Sequence, residues 1–182
     1  MYLETDIKKR NNVRVVGDGE NTLVLGHGFG CDQRMWNYLV PYFEKDYKIV
    51  LFDYVGCGQS DLSAFDKERY SKLSGYAKDV EEIFDALELS NAIFIGHSVS
   101  STIGMHVAIE RPDLISKLIM VCPSPCFLNL PPEYMGGFEK EDLEELINLM
   151  DKNYLGWASY FAPLVVGEGH DESFKQELEN SF

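Results

Sequence analysis

Four short apolar runs constrain this chain more than any other feature of its sequence. They cover residues 22–25, 48–52, 92–95 and 117–122, are rich in β-branched residues, and end at glycine, a turn or Pro123. Near-continuous hydrophobicity over so few residues suits strands buried on both faces of a parallel sheet. Helical patterns lie between them. Tyr76, Val80, Ile83, Phe84 and Leu87 share one face, with Lys78, Asp79, Glu81, Glu82 and Asp85 opposite. Residues 101–110 continue helically until Arg111-Pro112 stops them. Alternation of this kind predicts an α/β fold with a mostly parallel sheet. After Pro125 the pattern changes. Asn129-Leu130-Pro131-Pro132 breaks the chain, and Leu143, Leu146, Ile147 and Met150 fall at helical spacing. Residues 154–166 and 173–182 read as further helices. The expected organisation is a core over residues 1–128 and an all-helical segment over 129–182.

The chain has 182 residues and a formal net charge of −14. That excess repels phosphate backbones and anionic lipid, so neither nucleic acid nor a membrane is an expected partner. Residues 129–182 carry 12 acids and 3 bases, which reads as a solvated face. Cys31, Cys57, Cys122 and Cys126 are too scattered for a disulfide framework and lack the spacing of a zinc site, so buried reduced thiols are expected and no metal or other cofactor. The first residues lack an apolar signal-peptide core, and the uncharged stretch 89–109 is too polar for a lipid-facing helix. The expected location is cytoplasmic.

Chemistry concentrates in two places. In Ala92-Ile-Phe-Ile-Gly-His-Ser-Val-Ser100 a buried strand meets a helix at once. The G-x-S-x-G nucleophile elbow has this context: a sharp turn lifts a serine hydroxyl out of the sheet. Ser98 is the candidate nucleophile, with Ser100 in place of the usual second glycine. Gly26-His27-Gly28-Phe29-Gly30 follows the first apolar run. Acyl transfer puts negative charge on a carbonyl oxygen, and backbone N–H groups must meet it. Phe29 and Val99 are the candidate oxyanion donors. A dinucleotide fingerprint is the rival reading of the glycines, but Cys31 stands where it needs glycine and Asp53 lies too far along.

With Phe52-Asp53-Tyr54-Val55-Gly56-Cys57-Gly58-Gln59-Ser60-Asp61, these motifs resemble the α/β-hydrolase superfamily. The resemblance is greatest to RsbQ-like bacterial sigma-B stress regulators and the plant karrikin and strigolactone receptors. Ser124-Pro125-Cys126-Phe127-Leu128-Asn129 and Pro131-Pro132-Glu133-Tyr134 resemble the start of that family's helical lid. The resemblance implies a Ser-His-Asp hydrolase of carboxylic-ester type, with an apolar pocket under the lid. It also implies signalling beside a protein partner, a phosphatase-type regulator in a stress response.

A serine nucleophile needs a histidine base oriented by an acid, and the family places both after the lid. By that pattern the sequence stops at Phe182 within the last lid helix, so the triad Asp and His are expected to be absent and the chain to be an inactive fragment. Its sheet is then expected to show an unpaired edge and an uncovered apolar face. Gly169-His170-Asp171 resembles a catalytic-histidine context, but no strand leads into it. His97 and His106 read as packing residues, His27 belongs to the mouth of the oxyanion turn, and Asp53 fixes the turn 55–60. The expected pocket is drawn from Phe29, Phe127, Tyr134, Phe138, Trp157, Tyr160 and Phe161, any of which could equally be lid core. Two functions compete: hydrolysis of a small apolar ester or lactone, and non-catalytic sensing of such a molecule for a protein partner.

Overall fold

A computed structural model describes residues 4–182. The chain forms two compact units that divide at Pro123/Ser124, ahead of the Asn129-Leu130-Pro131-Pro132 break.

All four expected strands form in the first unit, as β2 (Asn21–Gly26), β3 (Tyr47–Leu51), β4 (Ala92–His97) and β5 (Ile115–Val121). They are parallel to one another. A further strand, β1 (Arg14–Val16), pairs antiparallel with β3 and completes the order β1-β3-β2-β4-β5. Its three residues are too few to show a period, which is why the apolar pattern did not reveal it. A short N-terminal helix, α1 (Glu4–Arg10), and the single turn α2 (Val40–Phe43) were hidden for the same reason.

Each sheet face has its own core. On one, Val24, Val50, Phe52 and Phe94 meet Val80, Ile83 and Phe84 of α3 (Leu73–Ala86) and Ile103 and Val107 of α4 (Val99–Glu110). Ile7 anchors α1 to this core, and Arg10 clamps it. The Arg10 guanidinium lies 3.2 Å from Asp79 and 2.5 Å from Glu82, and Arg69 shares both carboxylates at 2.5 and 2.9 Å. Two cations on a fully buried carboxylate offset its desolvation, so removing either one leaves an uncompensated charge. Leu23, Leu25, Ile49 and Leu51 pack on the other face against Trp36 and Val40.

That second cover thins toward β5, which among the described residues has a strand partner only on its β4 side. Ile93 and Ile95 are half-buried, and Ile119 and Val121, beside them on the same face, are 46% and 36% exposed. The expected open edge and bare apolar patch are therefore present.

The second unit packs α5 (Lys140–Lys152), α6 (Tyr154–Val166) and α7 (Glu172–Ser181). Asn153 caps α6 by accepting from the Gly156 N–H at 3.0 Å, and Asp171 caps α7 by accepting from Ser173 N–H at 2.8 Å. Trp157 is fully buried, its ring 5.3, 5.2 and 4.9 Å from those of Tyr154, Phe161 and Phe182.

The β5 patch generates a direct expectation. A dye that fluoresces on apolar surface binds the chain, and Ile119→Lys with Val121→Lys removes much of that signal, because charge on an edge strand also blocks edge-to-edge pairing. Equal fluorescence from both proteins contradicts this reading of the patch.

Candidate active site

Ser98 sits where β4 turns into α4, with φ 54° and ψ −118°. A left-handed serine is sterically unfavourable and costs on the order of 1–3 kcal/mol, so its surroundings must impose it. The neighbours that impose it are glycines. A methyl group on Gly96 would lie 2.5 Å from the Ser100 carbonyl, and one on Gly26 would lie 2.9 Å from the Ser100 Cβ. Only bare backbone lets the first turn of α4 approach the sheet this closely. The Ser98 N–H donates to the Val121 carbonyl at 2.8 Å, which ties the bend to β5.

The conformation has a chemical consequence. Ser98 occupies the N-cap of α4, where serine in extended geometry normally bonds the first-turn N–H groups. Here it makes no side-chain cap. Its hydroxyl is left uncommitted to the helix, and Val99, the first residue of α4, presents an N–H with no acceptor inside the helix. A free-standing serine hydroxyl and an N–H backed by the positive end of the helix dipole thus belong to adjacent residues.

The glycine turn after β2 lies against this bend. A methyl on Gly28 would meet His97 Nδ1 at 2.5 Å and Ser98 Cβ at 3.6 Å. Gly30 turns with φ 75°, and the Phe29 ring between them is half exposed. His27 is interior rather than at the mouth expected from sequence, because its ring is held on both nitrogens. Nδ1 lies 2.9 Å from the Gly28 carbonyl, and Nε2 accepts from Tyr54 N–H at 3.1 Å. Burial pushes its pKa down, against the opposing pull of Gly28, Asp53 and Asp32. Burial lowers the pKa of His97 as well, and its Nδ1 is buried with no hydrogen-bond partner.

Ser100, which the sequence showed only as a departure from motif, sits at the centre of a buried hydrogen-bond network. It is fully buried, its hydroxyl bonds the His27 carbonyl, and Tyr54 Oη lies 2.8 Å away. Asp53 holds its turn. One carboxylate oxygen accepts from Gln33 N–H at 2.9 Å, the other from Asn12 Nδ2 at 2.8 Å and Gln59 N–H at 2.9 Å.

Ser98, Val99 and the Phe29 turn are therefore gathered in the first unit. Within residues 4–123, neither His27 nor His97 hydrogen-bonds Ser98, and His106 lies on α4. In the second unit His170 is exposed between α6 and α7. Phe127, Tyr134 and Phe138 share a bridged loop there, with Phe127 N-terminal to a backbone pairing of Leu128 with Phe138 and Tyr134 donating its hydroxyl to the Cys126 carbonyl at 2.9 Å. Trp157 and Phe161 stack, and Tyr160 is exposed. Among the cysteines, Cys122 is exposed rather than buried as expected, because it follows the open end of β5. Burial and nearby Asp53 push the Cys57 thiol up to about 11, so it is no thiolate at neutral pH. Among the described residues there is no His/Cys/Asp/Glu cluster able to hold a metal, and no helix long and apolar enough to cross a membrane.

Residues 21–162 match the family model described as alpha/beta hydrolase fold. The chain is 49% identical over 172 residues to a karrikin insensitive 2 receptor of Petunia hybrida, covering 94% of this chain and 62% of that protein. It is 46% identical over 156 residues to a strigolactone esterase of Arabidopsis thaliana, covering 86% and 58%. A solved hydrolase from Oleispira antarctica superposes with a TM-score of 0.92 at 57% identity, over 99% of this chain and 66% of that one. The chain thus spans about three-fifths of the length of these curated relatives.

Acidification tests the electrostatics of the bend. A histidine whose folded pKa is lowered leaves the unfolded chain holding more protons as pH falls through its ordinary value of 6.5. Unfolding free energy from urea titration accordingly falls between pH 7 and pH 5, and the slope flattens in His27→Asn. An identical slope in the variant contradicts the assignment of His27 as buried and neutral.

Proposed function

The chain belongs to the α/β-hydrolase fold family, and from that membership we propose that the whole protein takes a small apolar ester or lactone and attacks its carbonyl with Ser98. Phe29 and Val99 N–H groups receive the oxyanion. The carrying observation is the left-handed Ser98 at an uncapped helix start, which leaves hydroxyl and amide together. In the attack, the Ser98 oxygen bonds to the carbonyl carbon and the carbonyl electron pair moves onto oxygen. The serine proton passes to a base, which gives it to the departing oxygen as the C–O bond to the alcohol breaks and the carbonyl re-forms. The half-exposed Phe29 ring supplies apolar surface for such a ligand in the first unit; in the second unit Phe127 and Tyr160 expose theirs, while Trp157 is fully buried within that unit.

A serine of this kind needs a histidine and an acid for turnover, and no histidine in residues 4–123 engages Ser98. For residues 4–123 the proposal is therefore acylation without turnover, the base for turnover coming from elsewhere in the protein. Residual reactivity of about 10³–10⁴ over water survives the loss of triad members in enzymes that keep their oxyanion hole.

A second reading is favoured by the relatives, which include proteins named as receptors as well as esterases. In it, capture of the ligand is signalled to a protein partner, of phosphatase type and in a stress response by the resemblance noted above, and the acidic lid segment forms the contact. The two readings share one site and differ in turnover number.

A fluorophosphonate probe tests the reading. Peptide mapping is expected to find one slow, stoichiometric adduct on Ser98, abolished by Ser98→Ala, with no multiple turnover of a p-nitrophenyl ester. An adduct on any other residue, or equal labelling of Ser98→Ala, sinks the proposal.

A further inference from the structure

The departure from the glycine pattern at Ser100 draws attention to what its hydroxyl does, and it leads to the turn that carries Phe29. A carbonyl cannot donate, so the Ser100 hydroxyl spends its proton on the His27 carbonyl. The Tyr54 hydroxyl must then be the donor in its 2.8 Å contact with Ser100 Oγ. The same logic settles the imidazole. Tyr54 N–H is a donor, so His27 Nε2 accepts, the ring proton resides on Nδ1, and it is given to the Gly28 carbonyl 2.9 Å away.

Two consecutive carbonyls, of His27 and of Gly28, are thus pinned on either side of the most pliable residue of the turn, the Gly28 carbonyl accepting from Cys31 N–H at 3.2 Å as well as from the imidazole. The second one matters for chemistry. The Gly28 carbonyl and the Phe29 N–H belong to one planar trans peptide and point in opposite directions. Holding the carbonyl toward the buried imidazole sends the Phe29 N–H the other way, out of the interior. Gly28 is meanwhile pressed against His97 and Ser98, where no side chain fits.

Resting on the acyl-transfer reading above, we propose that His27 is a positioning residue that orients the Phe29 oxyanion donor through the Gly28 carbonyl, and that Ser100 with Tyr54 locks the preceding peptide. Ser100 is on this view a working replacement for glycine, since glycine has no hydroxyl to reach the His27 carbonyl. The groups facing His27 are Asp32 and Asp53, which favour its protonation, and His97, which opposes it. Protonation would place a second N–H against the Tyr54 N–H and break the arrangement.

The test has a spectroscopic and a kinetic arm, both on the 182-residue chain. With histidine nitrogen and glycine carbonyl carbon labelled, nitrogen–proton correlation is expected to show His27 as the Nδ1–H tautomer from pH 6 to 8, with scalar coupling across the hydrogen bond to Gly28. In the kinetic arm, fluorophosphonate labelling of Ser98 is split into its maximal rate and its probe affinity. Ser100→Ala and His27→Leu are expected to lower the maximal rate by about tenfold or more with affinity unchanged, the scale of a small misplacement of a catalytic group. His27→Asn, which keeps a side-chain N–H near the Nδ1 position, restores most of the loss. Should His27→Leu fail to fold, Ser100→Ala and His27→Asn still decide. An Nε2–H tautomer, or labelling rates indifferent to both positions, overturns the proposal. Failure of the unsubstituted chain to label removes the acyl-transfer reading and the positioning role with it. The tautomer result stands apart from that failure, so the two can be told apart.

Discussion

The reversal at Ser98 is the constraint on which the rest of the site depends. A serine with φ 54° persists only where its neighbours leave no relaxed option. Here the restraint is close approach: bare backbone at Gly26 and Gly96 admits the first turn of α4, and Ser100 fills the remaining space. Relaxing Ser98 to extended geometry would let its hydroxyl cap the helix. The hydroxyl would then be committed to the N–H of Ser100 or Ser101 in the first turn instead of standing open. On the proposed reading, strain and reactivity at this position are the same fact seen from two sides.

The sheet sets that bend beside the glycine turn. β2 and β4 are adjacent and parallel, with Gly26 opposite Gly96, so the glycine turn and the Ser98 bend emerge at the same edge. β3 lies on the other side of β2, and its continuation brings Tyr54 to His27. Three chain segments far apart in sequence thus meet without any insertion or long excursion. Asp53 and the Arg10–Asp79–Arg69 cluster make structural contacts around this frame. They hold the turn after β3 and the N-terminal helix against this frame.

Much of this was legible in the sequence for physical reasons. Strands buried on both faces leave continuous apolar runs, and β2 to β5 fell within a few residues of expectation. Long amphipathic helices leave a period, as α3 does. β1 and α1 were not legible because a few residues carry no period, and their places are fixed by pairing with β3 and by the Arg10 cluster. Ser98, Val99 and Phe29 were visible as motif. The His27–Tyr54–Ser100 network was not, since hydrogen bonds between segments 27 to 73 positions apart leave no local trace. The exposure of Cys122 escaped as well, because it depends on which strand ends at an open edge.

The central claim is that the Phe29 and Val99 amides face a common point above Ser98. A crystal structure of the chain with Ser98 phosphonylated tests it most directly. The phosphoryl oxygen is expected between the two N–H groups, at about 2.7–3.1 Å from each nitrogen. An oxygen turned to solvent, with either amide directed elsewhere, would contradict the account.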